Sequence, residues 1–182
     1  MIRRGKVFRF DDVCIYSDME MHNRMARFLM NRFQNCQVVF AISPLLFKSE
    51  KYKQRIFPKI LNAHSDHTRY YQVDDVGLPD VPGAVTKAAH GLFHVDHRLL
   101  DKSVQEASIV ASCSLSGSRI FVPPFNKWNS DTEEVCKHHG IQLVKFEDGW
   151  RCMEYEEWDE THDLWYIHAR EFTWDKFVRY FG

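Results

Sequence analysis

Two adjacent carboxylates, Asp11 and Asp12, close the first apolar run of the chain, and a His-Gly-Leu-Phe-His segment occupies His90 to His94. A metal-activated water needs carboxylates in two roles, one to ligate the cation and another to take the proton. Histidines at positions 90 and 94 share one face if the segment is helical, and they then complete a divalent-metal site. A further histidine, His168, follows a late apolar run. Two decoys carry the same residue types. Asp74-Asp75 lies in a polar stretch that no strand delivers, and His64 and His67 have the wrong spacing. His97, after Asp96, is a spare ligand or a supporting group.

These residues need a scaffold, and the sequence outlines one. Lys6 to Phe10 reads as a strand, and Asp18 to Phe33 has the apolar spacing of an amphipathic helix. Gln37 to Ile42 is a second strand stopped by Ser43-Pro44, and Glu50 to Ala63 is a second helix. The polar stretch from His64 to Gly83 reads as a long surface loop. Ala84 to Ala89 forms a third strand, Leu99 to Ala107 a helix, and Arg119 to Val122 a fourth strand ended by Pro123-Pro124. Ser130 to His139 opens as a helix should and stops at Gly140. Gln142 to Phe146 and Leu164 to Ile167 are further strands, and Thr173 to Phe181 a closing helix. Alternating strands and helices predict a single α/β domain over residues 1–182, with a largely parallel sheet, open or rolled into a barrel. In such folds chemistry gathers at the carboxyl ends of the strands. Asp11-Asp12, His90, Pro123-Pro124 and His168 all follow strands.

The bulk composition excludes several functions. The chain has 182 residues and a formal net charge of -1, so no global basic field points to nucleic acid or an anionic membrane. Five cysteines without a C-x-x-C pair argue against a disulfide framework and a thiolate zinc site. No signal peptide or run of membrane-spanning length is seen, so a cytoplasmic setting is expected. The aromatic share of 14% reads as core filling. The acidic run from Glu154 to Glu160 reads as a solvated face, with a lid or substrate rim as the alternative.

The motifs together resemble the polysaccharide deacetylase family, the NodB-homology carbohydrate esterases, in a divergent branch. Phe10-Asp11-Asp12-Val13 is similar to the family's Thr-Phe-Asp-Asp-Gly, and His90 to His94 to its His-Ser/Thr-x-x-His. Phe121 to Phe125 resembles Phe-Arg-Pro-Pro-Tyr, and Tyr166-Ile167-His168 resembles Leu-x-His. The resemblance implies a distorted (β/α)7-type barrel, complete or incomplete. It also implies Asp11 as general base, His168 as general acid, and Asp12, His90 and His94 as ligands of one divalent cation. Zinc suits nitrogen and oxygen donors, with iron, cobalt or manganese as alternatives. Pro124, Phe125, Asn126 and Trp150 are the expected substrate-binding residues, and an acetylated carbohydrate is the expected partner. Oligomeric state is left open.

The departures from the family pattern are specific. Val122 stands where the family has an arginine that pairs with the catalytic aspartate, leaving Arg9, Arg119 or Arg170 to replace it. Gly91 replaces Ser/Thr, Val13 replaces glycine, and Asp148-Gly149-Trp150 is a loose counterpart of the family's Asp and Trp motif. Two alternatives follow: a catalytically impaired carbohydrate- or metal-binding module, and a metal-dependent phosphoesterase or nuclease.

Overall fold

The structure, a computed structural model, describes residues 5–14, 17–44, 81–92, 94–146, 149–168 and 172–181. The predicted helix over Glu50 to Ala63, the loop up to residue 80 and both decoy motifs lie outside these residues. Strand β1 spans Val7–Val13, helix α1 Met19–Arg32, β2 Gln37–Ile42 and β3 Thr86–Ala89. Helix α2 spans Lys102–Ser116, β4 Ile120–Phe121, α3 Ser130–His138 and β5 Gln142–Leu143. Strands β6 (Arg151–Cys152) and β7 (Leu164–Ile167) precede α4 (Trp174–Phe181). Among the described residues all strands run parallel in one sheet, ordered β5-β4-β3-β2-β1-β7-β6. The result is an α/β half-barrel of seven strands with flanking helices.

Side-chain alternation along the strands builds two different faces. Phe8, Phe10, Val38, Phe40, Ile42, Trp165 and Ile167 point outward and pack against Met25 and Leu29 of α1 and Phe177 and Phe181 of α4. Each such side chain contributes about 1.5–3 kcal/mol on full burial. Smaller residues, Val7, Val39, Ala41, Ala88 and Val122, face the opposite side with Trp150. The aromatic residues thus supply core, as their share of the sequence suggested.

Several helix ends differ from expectation for local reasons. Asp18 caps α1, its carboxylate accepting from the Met21 amide at 2.9 Å. Asn129, not Ser130, caps α3, in a reciprocal capping box with Thr132. The predicted helix at Leu99 begins only at Lys102 and runs on to Ser116. Asp96 instead caps a single 3-10 turn over His97–Leu99. The serines of α2's second half had hidden its periodicity. The strand predicted over Gln142 to Phe146 is only Gln142–Leu143, and β6 was too short to show in the sequence. Among the described residues no helix is long and apolar enough to cross a membrane.

Candidate active site

The β1 carboxylates owe their placement to an irregularity in the strand. Phe10 pairs with Phe40, but Val13 pairs with Ile42, so β1 holds one extra residue where Asp11 and Asp12 sit. Asp12 also takes a left-handed backbone, with φ 59°. Strict alternation would have sent Asp12 to the aromatic face with Phe8 and Phe10. The bulge re-aims it instead.

Asp11 stays in phase with Arg9, two residues earlier on the same face. Arg9 Nε donates to Asp11 Oδ1 at 2.7 Å, and Nη2 donates to Oδ2 at 2.7 Å. Both side chains are buried, at 0% and 3% exposure. Nη2 also donates to Asn126 Oδ1 at 2.6 Å, and the guanidinium lies over the rings of Trp150 (4.4 Å) and Tyr166 (5.0 Å). Arg9 is thus the planar, permanently charged fork that pairs with Asp11, while Val122 offers no charge. Arg119 is spent elsewhere, donating to the His139 carbonyl, and Arg170 lies outside the described residues.

Asp12 meets both histidines of the mid-chain motif. Its Oδ1 lies 2.7 Å from His94 Nε2 and 3.4 Å from His90 Nε2, and the three ligand atoms lie within 4.8 Å of one another. His90 Nδ1 is 2.8 Å from the Val122 carbonyl. A carbonyl only accepts, so Nδ1 donates to it, and Nε2 is the ring nitrogen that faces the Asp12 carboxylate. This donor set of one carboxylate and two imidazoles fits a divalent metal with positions left open. Burial alone would raise the Asp12 pKa, but the charge of His94 and hydrogen bonds from both imidazoles hold it well below the usual carboxylate range.

The motif is not helical, which corrects the first expectation. Gly91 (φ 74°) and His94 (φ 49°) both take left-handed backbone, and this turn brings the imidazoles together. A side chain at position 91 would put Cβ 2.8 Å from Pro124 Cγ and 3.1 Å from His97 Cε1. That crowding, with the positive φ, accounts for a glycine at position 91. His97 is buried against Phe121, its Nε2 3.1 Å from Ser108 Oγ, and it supports this turn.

His168 follows β7 and completes the cluster. Its Nε2 lies 3.8 Å from Asp12 Oδ2, and its Nδ1 lies 3.2 Å from Glu154 Oε1. Glu154 also accepts from the His168 backbone amide and, at 2.6 Å, from the Cys152 thiol. Burial would lower the His168 pKa, but the Glu154 hydrogen bond and the charges of Asp11, Asp12 and Glu154 raise it to about 9. The acidic run is therefore no uniform solvated face. Glu154 turns inward at 6% exposure and Trp158 packs on Phe8 and Phe181, while Tyr155, Glu156, Glu157 and Glu160 are exposed. Sequence reasoning missed Glu154. The available signal was a carboxylate two residues beyond β6, the strand beside β7.

No protein-family model and no curated protein matches the sequence. Among solved structures, the chain is similar to a family 4 carbohydrate esterase from Streptomyces lividans in complex with acetate, with a TM-score of 0.55 and 15% identity. The match covers 98% of this chain and 85% of that one. The chain shares its fold with a carbohydrate esterase.

Within the carbohydrate-esterase fold, the expected substrate residues separate into different environments. Pro124 is buried under Gly91. Phe125 has left-handed backbone (φ 58°) and its ring lies 4.6 Å from that of His94, beside the ligand cluster. Asn126 is also left-handed (φ 55°), and its Oδ1 is engaged by Arg9. Trp150 is not a groove wall. It is 5% exposed and lies beneath the guanidinium, while the neighbouring Asp148 lies outside the described residues.

Proposed function

We propose that this protein is a metal-dependent deacetylase that hydrolyses an N-acetyl or O-acetyl group on a carbohydrate. The meeting of Asp12, His90 and His94 in one ligand cluster, with Asp11 and His168 alongside, carries this reading. The esterase fold supports it, and so does the acetate in the similar structure, since acetate is what a deacetylase releases.

Bound by Asp12, His90 and His94, a divalent cation, zinc by preference, would polarise the acetyl carbonyl and the attacking water. Asp11 takes the water proton as its oxygen bonds to the acetyl carbon. Arg9 occupies one lone pair on each Asp11 oxygen, leaving a second free to accept that proton. The backbone N–H of Phe125 assists the developing oxyanion. His168, held by Glu154, passes its proton to the leaving nitrogen or oxygen as the bond to the acetyl carbon breaks. Phe125 and Asn126, beside the cluster, hold the sugar or the acetyl methyl.

The impaired-module alternative loses its main support, because Arg9 supplies the guanidinium that Val122 lacks. The phosphoesterase alternative needs further carboxylates to bridge two cations, and Asp12 is the only carboxylate in this ligand cluster among the described residues. The test is metal content together with amine release from acetylated amino-sugar oligomers. Asp11→Asn should keep its metal and lose about 10²–10⁴-fold in turnover. His90→Ala should lose both. Undiminished turnover in Asp11→Asn would remove Asp11 from the base role.

A further inference from the structure

A second group of metal-type donors lies on elements that carry none of the proposed metal ligands, acid or base. Glu106 projects from α2, His138 closes α3, and His139 is the residue that caps it. His139 Nε2 lies 2.6 Å from Glu106 Oε1, and the ligand atoms of all three residues lie within 4.8 Å of one another. The His138 and His139 rings are 4.9 Å apart and nearly perpendicular. Donors bonded to one tetrahedral zinc at about 2.0–2.1 Å stand roughly 3.4 Å apart, so small side-chain rotations would gather this set around one ion.

The backbone beneath the histidines is locked. The Gly140 amide donates to the Lys137 carbonyl at 3.2 Å, and the Ile141 amide donates to Cys136 at 2.8 Å, with Gly140 left-handed at φ 61°. This is a Schellman closure. Arg119 Nη1 adds a 2.7 Å bond to the His139 carbonyl, fixing the residue from another side. The negative end of the α3 dipole favours a cation at this position. Glu106 is 44% exposed and His139 29%, so an ion reaches the donors from solvent.

We infer that Glu106, His138 and His139 form a second divalent-metal site, selective for zinc-like borderline cations and completed by water. Three protein donors of the two-imidazole, one-carboxylate type leave a fourth position open at the surface. The site does not depend on the deacetylase reading, because it shares no residue with Asp12, His90 or His94.

The experiment titrates untagged, chelator-stripped full-length chain with zinc alone against a chromophoric competitor. Wild type should take two equivalents, His90→Ala one, His139→Ala one, and the double variant none. Glu106→Gln, on an exposed helix face, should weaken the second equivalent at least tenfold without disturbing the fold, and His139→Ala should keep amine release. A wild-type stoichiometry of one that His90→Ala abolishes and His139→Ala preserves would overturn the second site. Two equivalents without any amine release would instead leave this site standing and sink the deacetylase reading.

Discussion

Arg9 and Glu154 are the side chains that tune the proposed acid and base, and each acts through a buried contact. Arg9 and Asp11 are both nearly inaccessible to water, so their pairing offsets two large desolvation penalties at once. Removing one partner strands the other. Arg9→Met should cost about 3–5 kcal/mol in urea denaturation. The double variant Arg9→Met/Asp11→Asn should recover much of that loss while staying inactive. If both variants unfold at the wild-type midpoint, the pair contributes nothing and the positioning argument fails. Glu154 bears on His168 in a parallel way. Glu154→Gln keeps the shape but removes the charge, so kcat should fall roughly 10–100-fold with bound metal unchanged. Loss of metal together with activity would show that Glu154 serves the ligand cluster rather than the acid.

At the scale of elements, strand ends do the positioning and helices hold the strands. The bulge in β1, the left-handed turn at Gly91 and the short turn at Phe125 break regular structure where the cluster forms. Such strain persists only when the surroundings are rigid, and α1 is one source of rigidity. Within α1, His22 is buried at 5% exposure among Phe10 and Phe40, and its Nδ1 donates to the Asp18 carbonyl at 2.7 Å. Burial lowers its pKa below 6.5, and the nearby Asp18 carbonyl and carboxylate only partly offset this. The unfolded chain therefore takes up the proton first. His22 contributes stability fully above pH 6.5, and the contribution is lost as pH falls from there through the lower folded value. Comparing urea midpoints at pH 7.5 and 5.5 should show a larger loss for wild type than for His22→Gln. Equal losses would mean that another group governs the acid limb.

For the whole molecule, the half-barrel draws together residues from β1, the segment after β3, the turn after β4, the segment after β6 and the end of β7. A cation held there joins segments distant in sequence, and a ligand that binds only the folded state stabilises it. At free zinc one hundred times its Kd, the gain is about 2.7 kcal/mol. For a chain of this length, that raises Tm by roughly 5–11 °C. Scanning calorimetry on His139→Ala, with zinc and with a chelator, reads this contribution from the proposed active site alone. His90→Ala/His139→Ala should show no shift, and an unchanged shift would place the stabilising ion elsewhere.

What the sequence determined by itself was mainly local. Strand and helix alternation was legible because apolar spacing and caps such as Asp18 and Gly140 act within a few residues. Asp11, Asp12, His90, His94 and His168 were legible as candidates because their residue types limit their chemistry and each follows a strand. The reading failed where distant segments decide the outcome. His90 and His94 were expected to share a face if helical, yet the segment turns through left-handed backbone at Gly91, where a side chain would collide with Pro124 and His97. Trp150 looked like a substrate platform, but the curl of the sheet buries it under Arg9. Glu154 looked solvated, but the pairing of β6 with β7 turns it toward His168. Residue type sets what a side chain is able to do. Only the tertiary fold sets which partners share its low-dielectric surroundings, because those partners come from strands far apart along the chain.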